Sequence, residues 1–174
     1  MIDREQIETY LKRLDKILSK NFVKGELCLY GGALMCLVYN ARPSTKDVDA
    51  VFEPVEKIRE AAEQVAEEFN LREDWLNDAV KGFVVEHSQK IVFNWPNLKV
   101  YRPEPDYLLA MKALASRIEG TDKKDILFLI KKLGLKSPDE VFGIIEKYYP
   151  RQRIRPATQF FVEELFENDQ HKTD

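Results

Sequence analysis

The chain has 174 residues, of which 44% are hydrophobic and 33% charged, with only 7 glycines and 8 prolines. This composition excludes a disordered, collagen-like or low-complexity protein, and the length is that of one domain, with or without an extension. The 27 basic and 30 acidic side chains give a formal net charge of -3, which argues against a histone-like coat but allows a local basic patch.

Targeting and redox features favour the cytoplasm. The two cysteines, Cys28 and Cys36, lie in an apolar stretch and have neither metal-site nor disulfide spacing. The N-terminal residues are charged throughout and lack the apolar core of a signal peptide. The longest nearly apolar segment, residues 28–39, is well short of the about 20 residues that cross a bilayer. We therefore expect a cytoplasmic protein without a membrane partner.

The N-terminal part alternates helix and strand patterns. Apolar residues at steps of three and four predict an amphipathic helix over residues 3–20, started by a capping box. A short strand over 27–30, a turn at Gly31-Gly32 and a helix over 33–39 follow. This order predicts a strand that turns directly into a helix.

The next segment continues the mixed pattern. Arg42-Pro43-Ser44 ends the preceding helix, a second strand covers 46–52, and three-four spacing predicts a helix over 54–69. Three apolar tracts between about 82 and 101, FVVEH, IVF and LKVY, predict short strands or a hairpin.

From residue 105 onward the apolar spacing is helical, and Ser137-Pro138-Asp139-Glu140 is a helix-start signature. The sequence thus predicts an α+β fold. Residues 1–103 would form the mixed domain, and residues 104–174 would form a helical C-terminal extension packed on it.

Two aspartates lie in the second predicted strand. Side chains alternate along a strand, so Asp47 and Asp49 are expected on one side, and Val48 and Ala50 on the other. Neighbouring carboxylates repel unless a cation lies between them, and hard oxygen ligands suit Mg²⁺ or Mn²⁺. A solvated strand edge is the alternative for Asp-Val-Asp alone.

Gly31-Gly32 permits close approach of the backbone to a phosphate, although a Gly-Gly pair by itself is usually a turn. The combination, in the order strand, Gly-Gly, helix, strand with Asp-x-Asp, indicates a phosphoryl- or nucleotidyl-transfer site.

The tract GGALMCLVYNARPSTKDVDAVF resembles the nucleotidyltransferase superfamily built on the DNA polymerase β palm. It is most similar to the branch that includes the AbiEii-type toxins of abortive-infection and toxin-antitoxin systems. The resemblance extends over about residues 27–133 and includes WLNDAVKGF, residues 75–83. It implies a polymerase β-like palm, a small mixed sheet with flanking helices, that uses Mg²⁺ to transfer a nucleotide from an NTP.

The resemblance also implies roles for individual residues. Gly31 and Gly32 would hold the triphosphate, and Asp47 and Asp49 would bind the divalent metals. Arg42 matches the arginine that precedes Asp-x-Asp in this branch, and it would contact the nucleotide.

A second set of residues matches a later helical element of the branch. In YLLAMK, Lys112 would reach a nucleotide phosphate, and Asp125 matches the following acidic position, with a supporting or catalytic role. Arg117 belongs to the same tract. The alternatives are an exposed helix lysine and a carboxylate of the helix cap begun by Asp122.

Two departures from the family pattern concern catalysis. Ala33 replaces the hydroxyl residue common after the glycines, and the third carboxylate is unassigned, with Glu86 on the FVVEH tract a candidate by chain order. The histidines, His87 and His171, have no partners at metal-ligand spacing.

The acceptor stays open between RNA, including tRNA, a protein hydroxyl and a small molecule. The resemblance to toxin-antitoxin proteins adds a cognate antitoxin or toxin as one of the partners to consider. An aminoglycoside-type enzyme is a further alternative without a supporting feature. The main alternative is a catalytically inactive nucleotidyltransferase fold that acts as an antitoxin or nucleotide-binding module.

Three arginines alternate near the C-terminus, at Arg151, Arg153 and Arg155. They form either an RNA-phosphate contact or a solvated turn, and the turn is favoured.

Overall fold

The computed structural model describes residues 1–115 and 121–170, the backbone alone being given at 121, 169 and 170. Contacts between residues divide the chain into two compact units. The first comprises Met1–Val84 and Ser88–Pro103, and the second comprises Val85–His87 and Glu104–Asp174. The class is α+β, as predicted. Arg117 and His171 lie outside the described residues.

The first unit contains seven strands and three α-helices within the described part of the chain. In order they are β1 (Ile2–Asp3), α1 (Arg4–Lys20), β2 (Gly25–Leu29), α2 (Gly31–Leu37), β3 (Ser44–Thr45), β4 (Val48–Glu53), α3 (Val55–Phe69), β5 (Leu76–Asn77), β6 (Gln89–Asn94) and β7 (Leu98–Pro103). A 3-10 turn at Ala79–Phe83 follows β5.

The main sheet has the strand order β5-β4-β2-β7-β6, and β1 pairs separately with β3. Strand β2 is antiparallel to β4 and parallel to β7, with Leu29 opposite Ala50 and Leu27 opposite Val100. Strand β2 therefore ends where β4 begins. This places Gly31-Gly32, which were predicted as a turn but are the first residues of α2, beside the start of β4.

The core of this unit lies between the sheet and helices α1 and α3. The capping box predicted for α1 is present, since Asp3 accepts from the Gln6 N–H and the Gln6 side chain accepts from the Asp3 N–H. The apolar stripes of both helices are fully buried (Ile7, Leu11, Leu14, Leu18 of α1; Ile58, Val65 of α3). The strand residues that face them are fully buried as well (Leu27, Leu29, Val48, Val100). Burial of these stripes is the main stabilising term for the unit.

The second unit consists of helices α4 (Pro105–Ala115), α5 (Thr121–Leu133), α6 (Pro138–Tyr148) and α7 (Pro156–Gln170) among the described residues, with a 3-10 turn at Arg151–Arg153. The predicted start of α6 is confirmed, because Ser137 and Glu140 form a capping box with Pro138 in the first turn. None of the described helices is long and apolar enough to cross a bilayer.

The strand predicted for FVVEH is wrong. Residues 84–88 belong to no strand, and Val85–His87 group with the second unit. The Val85 N–H donates to the Tyr107 hydroxyl at 3.0 Å, and the His87 ring stacks on Tyr107 with 3.9 Å between centroids. These contacts to helix α4 hold residues 85–87 in place, instead of the backbone hydrogen bonds that a neighbouring strand would supply.

The second predicted strand is shorter and shifted. Residues 46–52 were expected as one strand, whereas β4 begins at Val48, and Ser44–Thr45 forms the separate strand β3. Asp47 therefore lies just before β4. The short strand β5 was not predicted, since two residues carry no periodicity.

Candidate functional site

Gly31 lies against the carboxylate of Asp49. Its φ is +61°, which L side chains rarely adopt, and a Cβ at this position would overlap Oδ2 of Asp49. The Tyr30 N–H, one residue earlier, donates to the Asp49 carbonyl oxygen at 2.8 Å, which fixes the register of the two segments. Glycine is therefore required both for the turn and for the close approach to Asp49.

Gly32 leaves room for a second polar group. A Cβ there would be 2.6 Å from Oγ1 of Thr45 and 2.7 Å from Nη1 of Arg42. The Arg42 guanidinium therefore lies directly beside the glycine pair. The Thr45 hydroxyl donates to the Asp47 carbonyl oxygen at 3.2 Å and holds the turn that leads into β4.

Asp47 lies just before β4, and Asp49 is the second residue of that strand. Val48 and Ala50 between and after them are fully buried, whereas both aspartates are half-buried. This alternation is the pattern expected for two carboxylates on one side of a strand. Asn77 of β5 is paired with Asp49 in the parallel ladder, so an amide lies beside the carboxylate on the same side of the sheet.

The donor set suits a hard divalent cation. Among the described residues, no group of three or more histidine, cysteine or acidic side chains is placed to hold a metal. Magnesium in proteins is commonly bound by one or two carboxylates, while water and substrate phosphate oxygens supply its other ligands. Asp47 and Asp49 fit that mode of binding, in which the nucleotide completes the coordination.

Lys112 and Asp125 form a buried ion pair in the second unit. The Lys112 side chain is 8% exposed, and its Nζ lies 2.7 Å from Asp125 Oδ2 and 3.3 Å from Asp122 Oδ1. The alternative of an exposed helix lysine is therefore wrong. Asp125 is also buried, so it is more than a solvated cap residue. A nucleotide-binding role for the pair stays a prediction.

Glu86 does not have the position expected of a third carboxylate. It is exposed, lies in the irregular segment after the 3-10 turn and groups with the helical unit. Ala33 has a methyl side chain and so lacks the hydroxyl that the family pattern places there, and it is fully buried.

The two cysteines contribute no nucleophile. Both are buried and free. Burial raises the pKa of Cys28 to about 11, although a hydrogen bond with Tyr30 opposes the rise, and burial also raises the pKa of Cys36. A protonated thiol is a poor nucleophile and metal ligand, so these residues are structural at neutral pH.

The arginine-rich turn after α6 is exposed, as the solvated-turn interpretation requires. Arg151, Arg153 and Arg155 are all exposed. Nε of Arg151 lies 3.5 Å from Glu146, and Arg153 lies over the Tyr149 ring at 5.8 Å.

Comparisons with protein-family models, with curated proteins and with solved structures give no significant match. The resemblance to the polymerase β-like superfamily therefore stays a prediction, which rests on the motif residues themselves. The described geometry brings four of the predicted residues together in the first unit, Gly31 with Asp49 and Gly32 with Arg42, and Asp47 lies two residues before Asp49 in the chain. Lys112 and Asp125 come together in the second.

Proposed function

We propose that the protein is a magnesium-dependent nucleotidyltransferase that moves the nucleoside monophosphate of an NTP to a hydroxyl acceptor. The observation that carries this proposal is the packing of the left-handed Gly31 against the Asp49 carboxylate, with Arg42 beside Gly32. A turn that needed only to reverse the chain would not require a glycine against a carboxylate. Two carboxylates and an arginine beside the start of α2 are the groups that a triphosphate with its cation requires.

Each residue of this cluster has a distinct task in the proposal. Asp47 and Asp49 hold the divalent cation, which when bound neutralises phosphate charge and polarises the reacting groups. Arg42 offers planar guanidinium donors that match phosphate oxygens. Gly31 and Gly32 keep the approach to the carboxylates free of side chains.

In the transfer, an acceptor hydroxyl oxygen bonds to the α-phosphorus and releases its proton to solvent, while the bond between the α-phosphorus and pyrophosphate breaks and pyrophosphate leaves. Positioning and charge neutralisation supply most of the catalysis in such reactions, so a small polar cluster is sufficient. Lys112 and Asp125 are proposed to support nucleotide binding, as the resemblance implies. RNA, protein and small-molecule acceptors, and a toxin-antitoxin partner, all remain compatible with this chemistry.

The first experiment measures binding. We would titrate the wild type, Asp49→Asn and Asp74→Asn with Mn²⁺ and each NTP by calorimetry. Loss of a charged ligand costs about 1.5–3 kcal/mol, so Asp49→Asn should weaken binding roughly 10- to 150-fold. Asp74 is an exposed acidic residue outside the cluster, and its variant should bind like the wild type. Equal binding by all three proteins would refute the assignment of Asp49 as a metal ligand.

The second experiment separates an enzyme from a binding module. The protein is incubated with α-phosphate-labelled NTPs, Mg²⁺ or Mn²⁺, and cellular RNA and protein. A labelled acceptor that disappears with Asp47→Ala supports transfer, and its chemical class identifies the acceptor. NTP binding without label would instead favour the inactive nucleotide-binding module, an alternative consistent with the absence of a third acidic ligand among the described residues.

A further inference from the structure

Phe22 is a bulky residue in an unfavourable place. It lies in the turn between α1 and β2, its side chain is 95% exposed, and its φ is +56°. Glycine or asparagine adopts this backbone conformation at lower cost. The turn itself is held by backbone bonds from the N–H groups of Phe22 and Val23 to Ser19 and Leu18. The aromatic ring therefore serves neither the core nor the turn.

Lysines surround Phe22 in the chain. Lys16 and Lys20 are one helical turn apart at the end of α1, and Lys24 follows two residues after Phe22. All three are exposed, and none forms an ion pair with a described residue. We call Phe22 with these three lysines the basic knob. An exposed aromatic ring with uncompensated positive charge favours an acidic partner surface with an apolar floor.

A groove with this chemistry lies at the end of α3 in the same unit. It has a volume of about 610 Å³, and its floor includes the buried Ala66 and the half-buried Leu71. Four carboxylates line the groove. Three of them have no ion-pair partner among the described residues (Glu63, Glu67, Glu73), and the fourth, Asp74, is paired with Arg72. We call this surface the acidic groove.

Phe22 and the groove lie near opposite ends of α3, because α1 and α3 run antiparallel. Arg13 of α1 bonds Glu68 near the end of α3 at 2.6 Å. A Cβ at Gly25 would contact both Leu18, near the end of α1, and Ile58, near the start of α3. One copy therefore cannot place its own knob in its own groove.

We propose that the basic knob of one copy docks in the acidic groove of a second copy. The Phe22 ring would cover Leu71 and Ala66, and the lysines would face the glutamates around them. Such a head-to-tail contact joins different surfaces of the two copies, so it builds a ring or an open chain rather than a simple two-fold dimer. The proposal is independent of nucleotidyl transfer and would stand if that activity failed.

The experiment is sedimentation velocity of the full chain over a range of concentrations, at low salt and at about 1 M salt. The wild type should associate at low salt and dissociate at high salt. Phe22→Gly and Glu67→Lys should each weaken association about 30-fold or more, as expected for an interface hot spot. Glycine suits the backbone at residue 22, so loss of association by Phe22→Gly cannot be attributed to misfolding.

Matched controls change the same chemistry elsewhere. Phe160, on α7, is 68% exposed, and Glu167 is exposed on the same helix. Phe160→Gln and Glu167→Lys should associate like the wild type. Mixing Phe22→Gly with Glu67→Lys leaves one intact knob and one intact groove, so the mixture should form a mixed dimer and nothing larger.

Several outcomes would overturn the proposal. They are a wild type that stays monomeric at every concentration and salt, association that survives both variants, and a mixture that fails to form the mixed dimer. If the protein stays monomeric and binds RNA or an acidic protein through Phe22, the basic knob serves that partner, and the proposed contact between two copies is refuted.

Discussion

Replacing Gly31 by alanine tests the geometry on which the candidate site depends. The substitution adds one methyl group at a residue whose φ is +61° and whose Cβ would overlap Oδ2 of Asp49. Two costs therefore combine, the left-handed backbone and the displacement of the carboxylate. Gly134 separates them, because its φ is +67° and nothing lies within 4 Å of a Cβ there.

The magnitudes follow from these two environments. Gly134→Ala should lower the free energy of unfolding by about 1–2 kcal/mol, the cost of the left-handed conformation alone. Gly31→Ala carries the same cost together with about 1–3 kcal/mol for forcing a methyl group into occupied space. The expected loss for Gly31→Ala is then about 2–5 kcal/mol, and the excess over Gly134→Ala measures the contact with Asp49.

The assay is urea unfolding of the wild type and both variants, followed by Mn²⁺ and NTP titration under conditions where each remains folded. Gly31→Ala should bind the nucleotide more weakly because Asp49 has moved, whereas Gly134→Ala should bind it normally. If Gly31→Ala costs no more stability than Gly134→Ala, the close packing of Gly31 on Asp49 is refuted.

Two further predictions concern the helical unit. Lys112→Met removes the 2.7 Å partner of the buried Asp125 carboxylate, so it should lower the free energy of unfolding by about 3–5 kcal/mol in the same urea assay. The double variant Lys112→Met with Asp125→Leu should recover part of this loss, because no buried charge is then left unpaired. Burial disfavours the charged form of Asp106, but hydrogen bonds from Lys147 and Tyr148 outweigh it and lower the pKa of Asp106 below its ordinary 3.8. Because a depressed carboxylate pKa stabilises the fold above the unfolded-state pKa, Asp106→Asn should be about 1–2 kcal/mol less stable than the wild type at pH 7. That difference should vanish in unfolding curves as the pH falls through the depressed pKa, and a difference that does not shrink as the pH is lowered would contradict the assignment.

Local patterns in the sequence were sufficient for the long helices. Helix α1 has the predicted apolar stripe and capping box, and α6 begins at the predicted Ser137 signature. Such signals succeed because they depend on residues within one or two turns of each other. The Gly-Gly and Asp-x-Asp motifs were readable one by one, since each is contiguous in the chain.

Elements defined by distant partners were predicted poorly. FVVEH has the composition of a strand, yet the Tyr107 hydroxyl and ring, about twenty residues away in the chain, hold it in the helical unit. Strand β5 is two residues long and exists through its pairing with β4. Short apolar segments take the structure that their long-range partners provide.

The sequence by itself determined which residue types were available for chemistry: two alternating aspartates, a glycine pair, and a lysine followed by aspartates. Only the tertiary structure decided their surroundings. It placed Gly31 against Asp49 and Arg42 beside Gly32, because antiparallel pairing of β2 with β4 joins the end of one strand to the start of the other. It also buried Lys112 with Asp125, where the sequence had left an exposed lysine open. Burial and close approach depend on the packing of distant segments, and periodicity within one segment cannot specify them.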